Sequence, residues 1–245
     1  MPVPVRRPIG ILGGMGPEAT VLLMQKLIQA VPAQDDADHV PLLVDQNPQV
    51  PSRILHLIEG TGEDPGPTLA AMAARLERAG AQAIAMPCNT AHHYALAIRS
   101  AVAVPFIDMV AEAVARARTL ADGSGRVGLL ASPAVRRIAL FEPAFEAAGL
   151  VPVYLEADEA LLSVIRRVKA EGPTAAARAG LAEASASLAE RGASVQMIAC
   201  TEFSLLSDAM APGVRSFDAM DCLVEAIVAF ALLKEPARDM REARA

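Results

Sequence analysis

Ile84-Ala85-Met86-Pro87-Cys88-Asn89-Thr90 and Met197-Ile198-Ala199-Cys200-Thr201-Glu202 are the two stretches on which the reading of the fold turns. Each is a short apolar run of the kind needed by a strand buried on both faces. Each ends at a cysteine and passes at once into polar residues. A similar distance upstream of each lies another apolar run: Ile9-Gly10-Ile11-Leu12 in the first case, Val127-Gly128-Leu129-Leu130 in the second. Both upstream runs lead into a turn and a helix-forming stretch. The chain reads as two copies of one plan.

Working outward, strands are expected at 9–12, 41–44, 83–86, 106–107, 127–130, 151–154, 195–198 and 214–217. Between and after them, apolar residues recur at helical spacing over 18–30, 67–79, 90–100, 109–120, 132–148, 159–169, 174–191 and 221–233. Strand and helix alternate throughout, which argues for parallel α/β layers. Asp122-Gly123-Ser124-Gly125 is a polar turn suited to a boundary. The charged residues 234–245 read as a frayed tail.

Composition narrows the function. Of 245 residues 53% are hydrophobic and only 3% aromatic, enough for a core of small side chains but too few rings for a base-stacking platform. The net charge of −6, with no block of Lys or Arg, argues against nucleic acid or an anionic membrane as partner. The apolar run after Arg6-Arg7 stops at Gly13-Gly14, too short for a secretory signal. No window is long and apolar enough for a membrane span, so a cytoplasmic location is expected. Three cysteines (Cys88, Cys200, Cys222) do not suggest a disulfide framework. The four histidines show no metal-binding spacing, and no metal is expected.

Ligands of open parallel sheets bind at the carboxyl ends of strands, which is where Cys88 and Cys200 fall. A free thiol titrates close enough to neutrality to serve as base or acid after modest tuning. A helix start just beyond each cysteine would favour its thiolate. One such group in each of two facing halves suits a reaction that removes a proton from one face of a carbon and returns one to the other. The alternative is that both cysteines are small buried hydrophobes; the polar residues beside them, Asn89-Thr90 and Thr201-Glu202, argue against it. Cys222, inside an apolar helical pattern, reads as packing.

Pro87-Cys88-Asn89-Thr90-Ala91-His92 and Cys200-Thr201-Glu202 resemble the paired signatures of the aspartate/glutamate racemase family. Gly13-Gly14-Met15-Gly16-Pro17-Glu18 resembles that family's opening motif. Pro51-Ser52-Arg53 resembles a substrate-loop motif that usually reads Pro-Asp-Arg, and Lys169 falls where the family often has a lysine near a glycine. The likeness runs from Ile9 to about Leu233. It implies an α/β fold of two similar Rossmann-like (flavodoxin-like) parallel-sheet domains with pseudo-two-fold symmetry and the active site between them. The expected division is 1–104 plus 213–245 for the domain carrying Cys88, and 105–212 for the domain carrying Cys200. The resemblance further implies racemisation of an acidic amino acid without pyridoxal, metal or other cofactor, in a homodimer. Cys88 and Cys200 would be the proton carriers. Asn89, Thr90, Thr201 and Glu202 would line the site, Met15 and Arg53 would contact substrate, and Lys169 would bind a carboxylate. Ala199 replaces a usual glycine and Ser52 a usual aspartate, which leaves the substrate open. Thr201-Glu202 in place of Thr-His, and the lack of an opening Asp-Ser, set the chain apart from cell-wall glutamate racemases.

Other readings remain open. Gly14-x-Gly16-x-x-Ala19, with Asp45 ending the next strand, superficially matches a dinucleotide fingerprint. The same glycines also make a plain tight turn, or present free amides to a carboxylate. Arg53 is either a carboxylate fork or a solvated loop cation. Lys169 is either a ligand group or a favourable charge at a helix end. His92 reads first as a satisfied structural histidine, and second as a group orienting the Cys88 loop. For the whole chain the alternatives are a hydantoin racemase, a maleate cis-trans isomerase, a non-catalytic binder of small acids and, least favoured, a nucleotide-dependent oxidoreductase.

Overall fold

The computed structural model describes residues 6–157 and 159–232. The expected charged tail lies outside the described residues. In chain order the elements are β1 (Ile9–Gly13), α1 (Pro17–Ala30), β2 (Leu42–Gln46), α2 (Gly66–Arg78), β3 (Ala83–Ala85), α3 (Ala95–Ala101), β4 (Phe106–Ile107) and α4 (Met109–Leu120). The same series then recurs: β5 (Arg126–Ala131), α5 (Pro133–Arg137), α6 (Glu142–Ala148), β6 (Val151–Val153), α7 (Glu159–Glu171), α8 (Ala175–Glu190), β7 (Val195–Ala199), α9 (Thr201–Ser204), β8 (Ser216–Asp218) and α10 (Ala219–Leu232).

The eight strands form two parallel sheets of identical plan, β2-β1-β3-β4 and β6-β5-β7-β8. Register is set along the central pairs, with Ile11 opposite Val44 and Ala85 in the first sheet, and Leu129 opposite Met197 in the second. β1, β3 and β7 are buried along their whole length, as parallel strands covered on both faces must be. Gly10 and Gly128 hold matching places in β1 and β5. A Cβ on Gly10 would come 2.9 Å from the Cβ of Ala81, and one on Gly128 would come 3.0 Å from the Cβ of Ala193. Each half therefore needs a glycine where its first strand meets the chain entering its third.

One apolar core passes through both halves. It joins Ile9, Ile11 and Ala85 of the first sheet to Leu129, Val195 and Met197 of the second, through buried faces of α4 and α10. The outer face of the first sheet packs on α2 and α3. The outer face of the second packs on α7 and α8.

Three expectations are corrected. The expected helix 132–148 is two helices, α5 and α6, with Ala139 between them at φ 51°. Pro143 is the cause: it has no amide to donate, and its ring would strike the carbonyl of Ala139 in a continuous helix. The stretch 90–100 opens with a 3₁₀ turn, Thr90–Tyr94, before α3. The expected division at 104/105 and 212/213 parts strands from their sheets, because β4 pairs with β3 and β8 pairs with β7. Such short strands carry little pattern of their own, and only pairing in space assigns them.

Candidate active site

Cys88 follows the end of β3 by way of Met86-Pro87, and Cys200 follows β7 directly. In parallel sheets these are the ends at which ligands bind. Both thiols are free, and both line one small cleft of about 60 Å³ between the two halves. Met15, Arg53, Thr90, Lys169 and Glu202 line it with them, together with Ser52, Ile54, Ser132 and Ile165, which the sequence reading did not select as site residues. Two expected residues are not on its wall. Thr201 borders an adjoining recess with Lys169 and Glu202. Asn89 is buried beside Cys88, with neither side-chain polar atom hydrogen-bonded among the described residues. A buried amide without partners costs free energy until something binds it.

The second half concentrates charge. The Cys200 thiol donates to Glu202 Oε2 at 3.0 Å. Lys169 Nζ lies 3.2 Å from Glu202 Oε1; the lysine side chain is 44% exposed and the glutamate 12%, so the pair sits at the mouth rather than the floor of the cleft. Burial pushes the Cys200 thiol well above its ordinary value, and the adjacent Glu202 carboxylate adds to this, against the opposing charge of Lys169. The expected helix-start effect favouring the thiolate is therefore overridden here: α9 is a single short turn, and its dipole is outweighed. For Lys169, burial works against the charged form, but Glu202 outweighs it and the net shift is upward.

The first half is organised by hydrogen bonds. The amide of Met109 donates to His92 Nε2 at 3.1 Å. The proton of His92 therefore sits on Nδ1, which donates to the Cys88 carbonyl at 2.8 Å. Burial holds the imidazole below its ordinary value, against the nearby Asp108. Tyr94 went unnoticed in the sequence although it lies close behind Cys88. Its hydroxyl is buried with no partner among the described residues, and burial raises it to about 12. An unpaired phenol cannot be read from sequence, since it depends on what the fold leaves beside it.

Arg53 reaches the cleft from an irregular loop that continues into a π-helical turn at Leu55–Glu59. Its Nη1 donates to the carbonyls of Val50 (3.3 Å) and Pro51 (2.9 Å). It has no ion pair among the described residues. The Gly-rich turn borders the cleft through Met15, but the amide of Gly14 already donates to Thr20 Oγ1 at 3.0 Å. Gly14 itself is at φ +93°, where an added Cβ would lie 2.4 Å from the carbonyl of Asn47. Asp45, the would-be ribose ligand, is paired with Arg75 at 2.7 Å. Both features that mimicked a nucleotide fingerprint thus have partners within the fold. Among the described residues no group of three or more His, Cys, Asp or Glu is arranged to hold a metal ion, and no helix is long and apolar enough to cross a membrane.

Two parallel α/β halves of one topology, each bringing a free cysteine to a shared cleft, define the class. Residues 12–227 match the model of the Asp/Glu/Hydantoin racemase family, and the chain belongs to that family. Its structure is similar to that of Picrophilus torridus aspartate racemase, with a TM-score of 0.81, 25% identity, and coverage of 92% of this chain and 94% of that one. It is also similar to an aspartate racemase homologue from Pyrococcus horikoshii OT3, with a TM-score of 0.72, 23% identity, and coverage of 92% and 99%. A glutamate racemase from Francisella tularensis solved with D-glutamate shares the fold at a TM-score of 0.63 and 17% identity, with 91% and 80% covered. Over 110 residues the chain is 33% identical to the broad specificity amino-acid racemase RacX of Bacillus subtilis (strain 168). That match covers 43% of this chain and 47% of RacX, so it spans about half the length of that relative.

Proposed function

We propose that the chain is an amino-acid racemase that acts on aspartate, glutamate or both, with Cys88 and Cys200 as its acid/base pair and no cofactor. The observation that carries this is the meeting of both thiols in one cleft flanked by the cations Arg53 and Lys169. Family membership supports the reaction class.

In the half-turnover drawn from this geometry, Cys200 keeps its proton because burial and Glu202 favour the thiol. Cys88 is then the base. Its thiolate takes the α-hydrogen as a proton, and the electron pair of the broken C–H bond stays on carbon and delocalises into the α-carboxylate. Cys200 delivers its proton to the opposite face and is left as the thiolate. The enzyme has then exchanged the roles of its cysteines and is set for the reverse direction. The α-carboxylate is held by Thr90 and the neighbouring amides, whose hydrogen bonds strengthen as charge moves onto it. A side-chain carboxylate goes to Arg53, and to Lys169 in competition with Glu202.

Proton NMR in D₂O with L-Asp and L-Glu tests this. Loss of the α-proton signal, with the D-enantiomer appearing on a chiral column, is the expected result. Absence of exchange with either acid would overturn the acidic-substrate reading. A broader specificity is the second reading, favoured by Ile54 and Ile165 on the cleft wall and by the likeness to RacX. The same spectra with a panel of neutral amino acids decide between them.

A further inference from the structure

The two halves hold their cysteines by matched devices that the reaction itself does not require. The residue four positions after each cysteine is His92 in one half and Ser204 in the other. Each reaches the start of the helix that follows the outermost strand of its own sheet. His92 bridges the Cys88 carbonyl to the amide of Met109, the first residue of α4. The Ser204 amide donates to the Cys200 carbonyl at 3.3 Å, and its hydroxyl donates to Asp218 Oδ1 at 2.9 Å. Asp218 ends β8, and the same oxygen accepts the Met220 amide of α10 at 2.8 Å. Asp108 is its counterpart at the end of β4, capping α4 through the amides of Val110 and Ala111.

The two helices so reached share one core, in which Val110, Ala113 and Val114 of α4 join Leu223, Val224 and Ile227 of α10. An ion pair between Arg116 and Glu225 ties them further. The anchoring groups are themselves sealed: His92 is 5%, Ser204 4% and Asp218 3% exposed, so solvent does not compete for these bonds. Each cysteine loop is thus fastened to a helix that belongs to a frame common to both halves.

We propose that His92 and the Ser204–Asp218 pair are positioning residues that fix the Cys88 and Cys200 loops to the α4–α10 frame, so that the spacing of the two thiols across the cleft is set by that frame. The proposal rests on the racemase reading for its purpose but not for its test. Removing one anchor frees one loop and leaves the other held. In Ser204→Ala, Asp218 still caps α10 through Met220, so the helix itself is kept.

The test is the alkylation rate of each cysteine by iodoacetamide, resolved by peptide mass spectrometry in the wild-type chain and in Ser204→Ala, Ser204→Thr and His92→Gln. Freeing a loop raises the exposure and hence the reactivity of its thiol. Ser204→Ala is expected to raise the rate at Cys200 by about 3-fold or more and leave Cys88 unchanged. Ser204→Thr, which restores a hydroxyl, returns Cys200 to the wild-type rate. His92→Gln shows the reverse selectivity; should that variant fail to fold, the serine pair carries the test alone. Equal acceleration of both cysteines in Ser204→Ala, or no change at either, overturns the proposal. These rates need no turnover. A wild-type chain that exchanges no α-proton would count against the racemase reading, while the alkylation pattern still decides the anchors.

Discussion

The Cys88 half and the Cys200 half have the same strand order and place their thiols at equivalent strand ends, yet they surround them differently. Cys200 donates to Glu202, which is itself paired with Lys169, so an acid and a base stand beside the thiol. Beside Cys88 stand the His92 ring, which burial keeps uncharged, and the unpartnered amide of Asn89, with the cation Arg53 on the same cleft wall. Topology makes the thiols equivalent and electrostatics makes them unequal. The fold brings two thiols to one cleft, and burial with the Glu202 charge favours the protonated form at Cys200.

The largest effect is expected from deleting either thiol. Cys88→Ala and Cys200→Ala should each lower racemisation by about 10³-fold or more, since one face of the carbon loses its proton carrier. Chiral chromatography of product measures it, and a Cys88→Ala protein with near wild-type turnover would refute the two-thiol mechanism. Glu202→Gln tests the asymmetry directly. The Glu202 charge raises both Cys200 and Lys169, so its removal lowers both. The pH midpoint for Cys200 alkylation should move down. Turnover should fall by roughly 10-fold to 100-fold, as a tuned acid is lost. An unchanged midpoint would mean that burial alone sets the thiol.

The outline of this comparison was legible in the sequence and its charges were not. The buried central strands β1, β3, β5 and β7 are written as continuous apolar runs, which is why they and both cysteine positions could be read. The break at Ala139 was missed by the expected helix 132–148, although Pro143 forbids one continuous helix. By contrast, the contact between Lys169 and Glu202 joins α7 to the turn after β7 across a long stretch of chain, and no local pattern encodes it. The matched anchors fall between the two cases. Asp108 stands two residues after Phe106 and Asp218 one residue after Phe217, each near a strand end and before a helix, an inexact repeat, and the step from His92 to Ser204 hides their common offset from the cysteines.

A smaller effect is expected at the cation on the opposite wall. Arg53 is held by carbonyls of its own loop and not by an acid, so its charge is available to a ligand. Arg53→Ala should raise KM for aspartate or glutamate by roughly 10-fold, the loss of one charge-assisted bond. KM for neutral amino acids should move little. Equal losses for acidic and neutral substrates would instead assign Arg53 to the α-carboxylate, common to all of them.

The smallest effect concerns stability and contrasts the two capping aspartates. Asp108 meets Arg99 at 2.6 Å, whereas Asp218 is sealed, has no ion pair among the described residues, and leaves Oδ2 without a partner. Burial raises Asp218 to about 7; Asp221 adds to the rise, while the Met220 amide, Ser204 and Lys26 of α1 oppose it. The nearby Cys222 thiol, itself raised to about 12, stays uncharged across this range. An unfolded aspartate titrates near 3.9. Between these values the native chain holds a proton that the unfolded chain has released, so stability falls as pH rises from about 4 to about 7 and is level above. An asparagine in its place cannot ionise, so Asp218→Asn should lose this slope. Any cost of burying the new amide is the same at every pH and cancels in the comparison. Relative to the parent, the variant should therefore gain stability between pH 5 and pH 8, on the order of 2 kcal/mol, because each tenfold drop in proton concentration below the native midpoint is worth about 1.4 kcal/mol. Urea unfolding at the two pH values measures it. A constant difference between variant and parent would mean that Asp218 is ionised throughout, and that the second half tolerates a buried charge where the first half neutralises one with arginine.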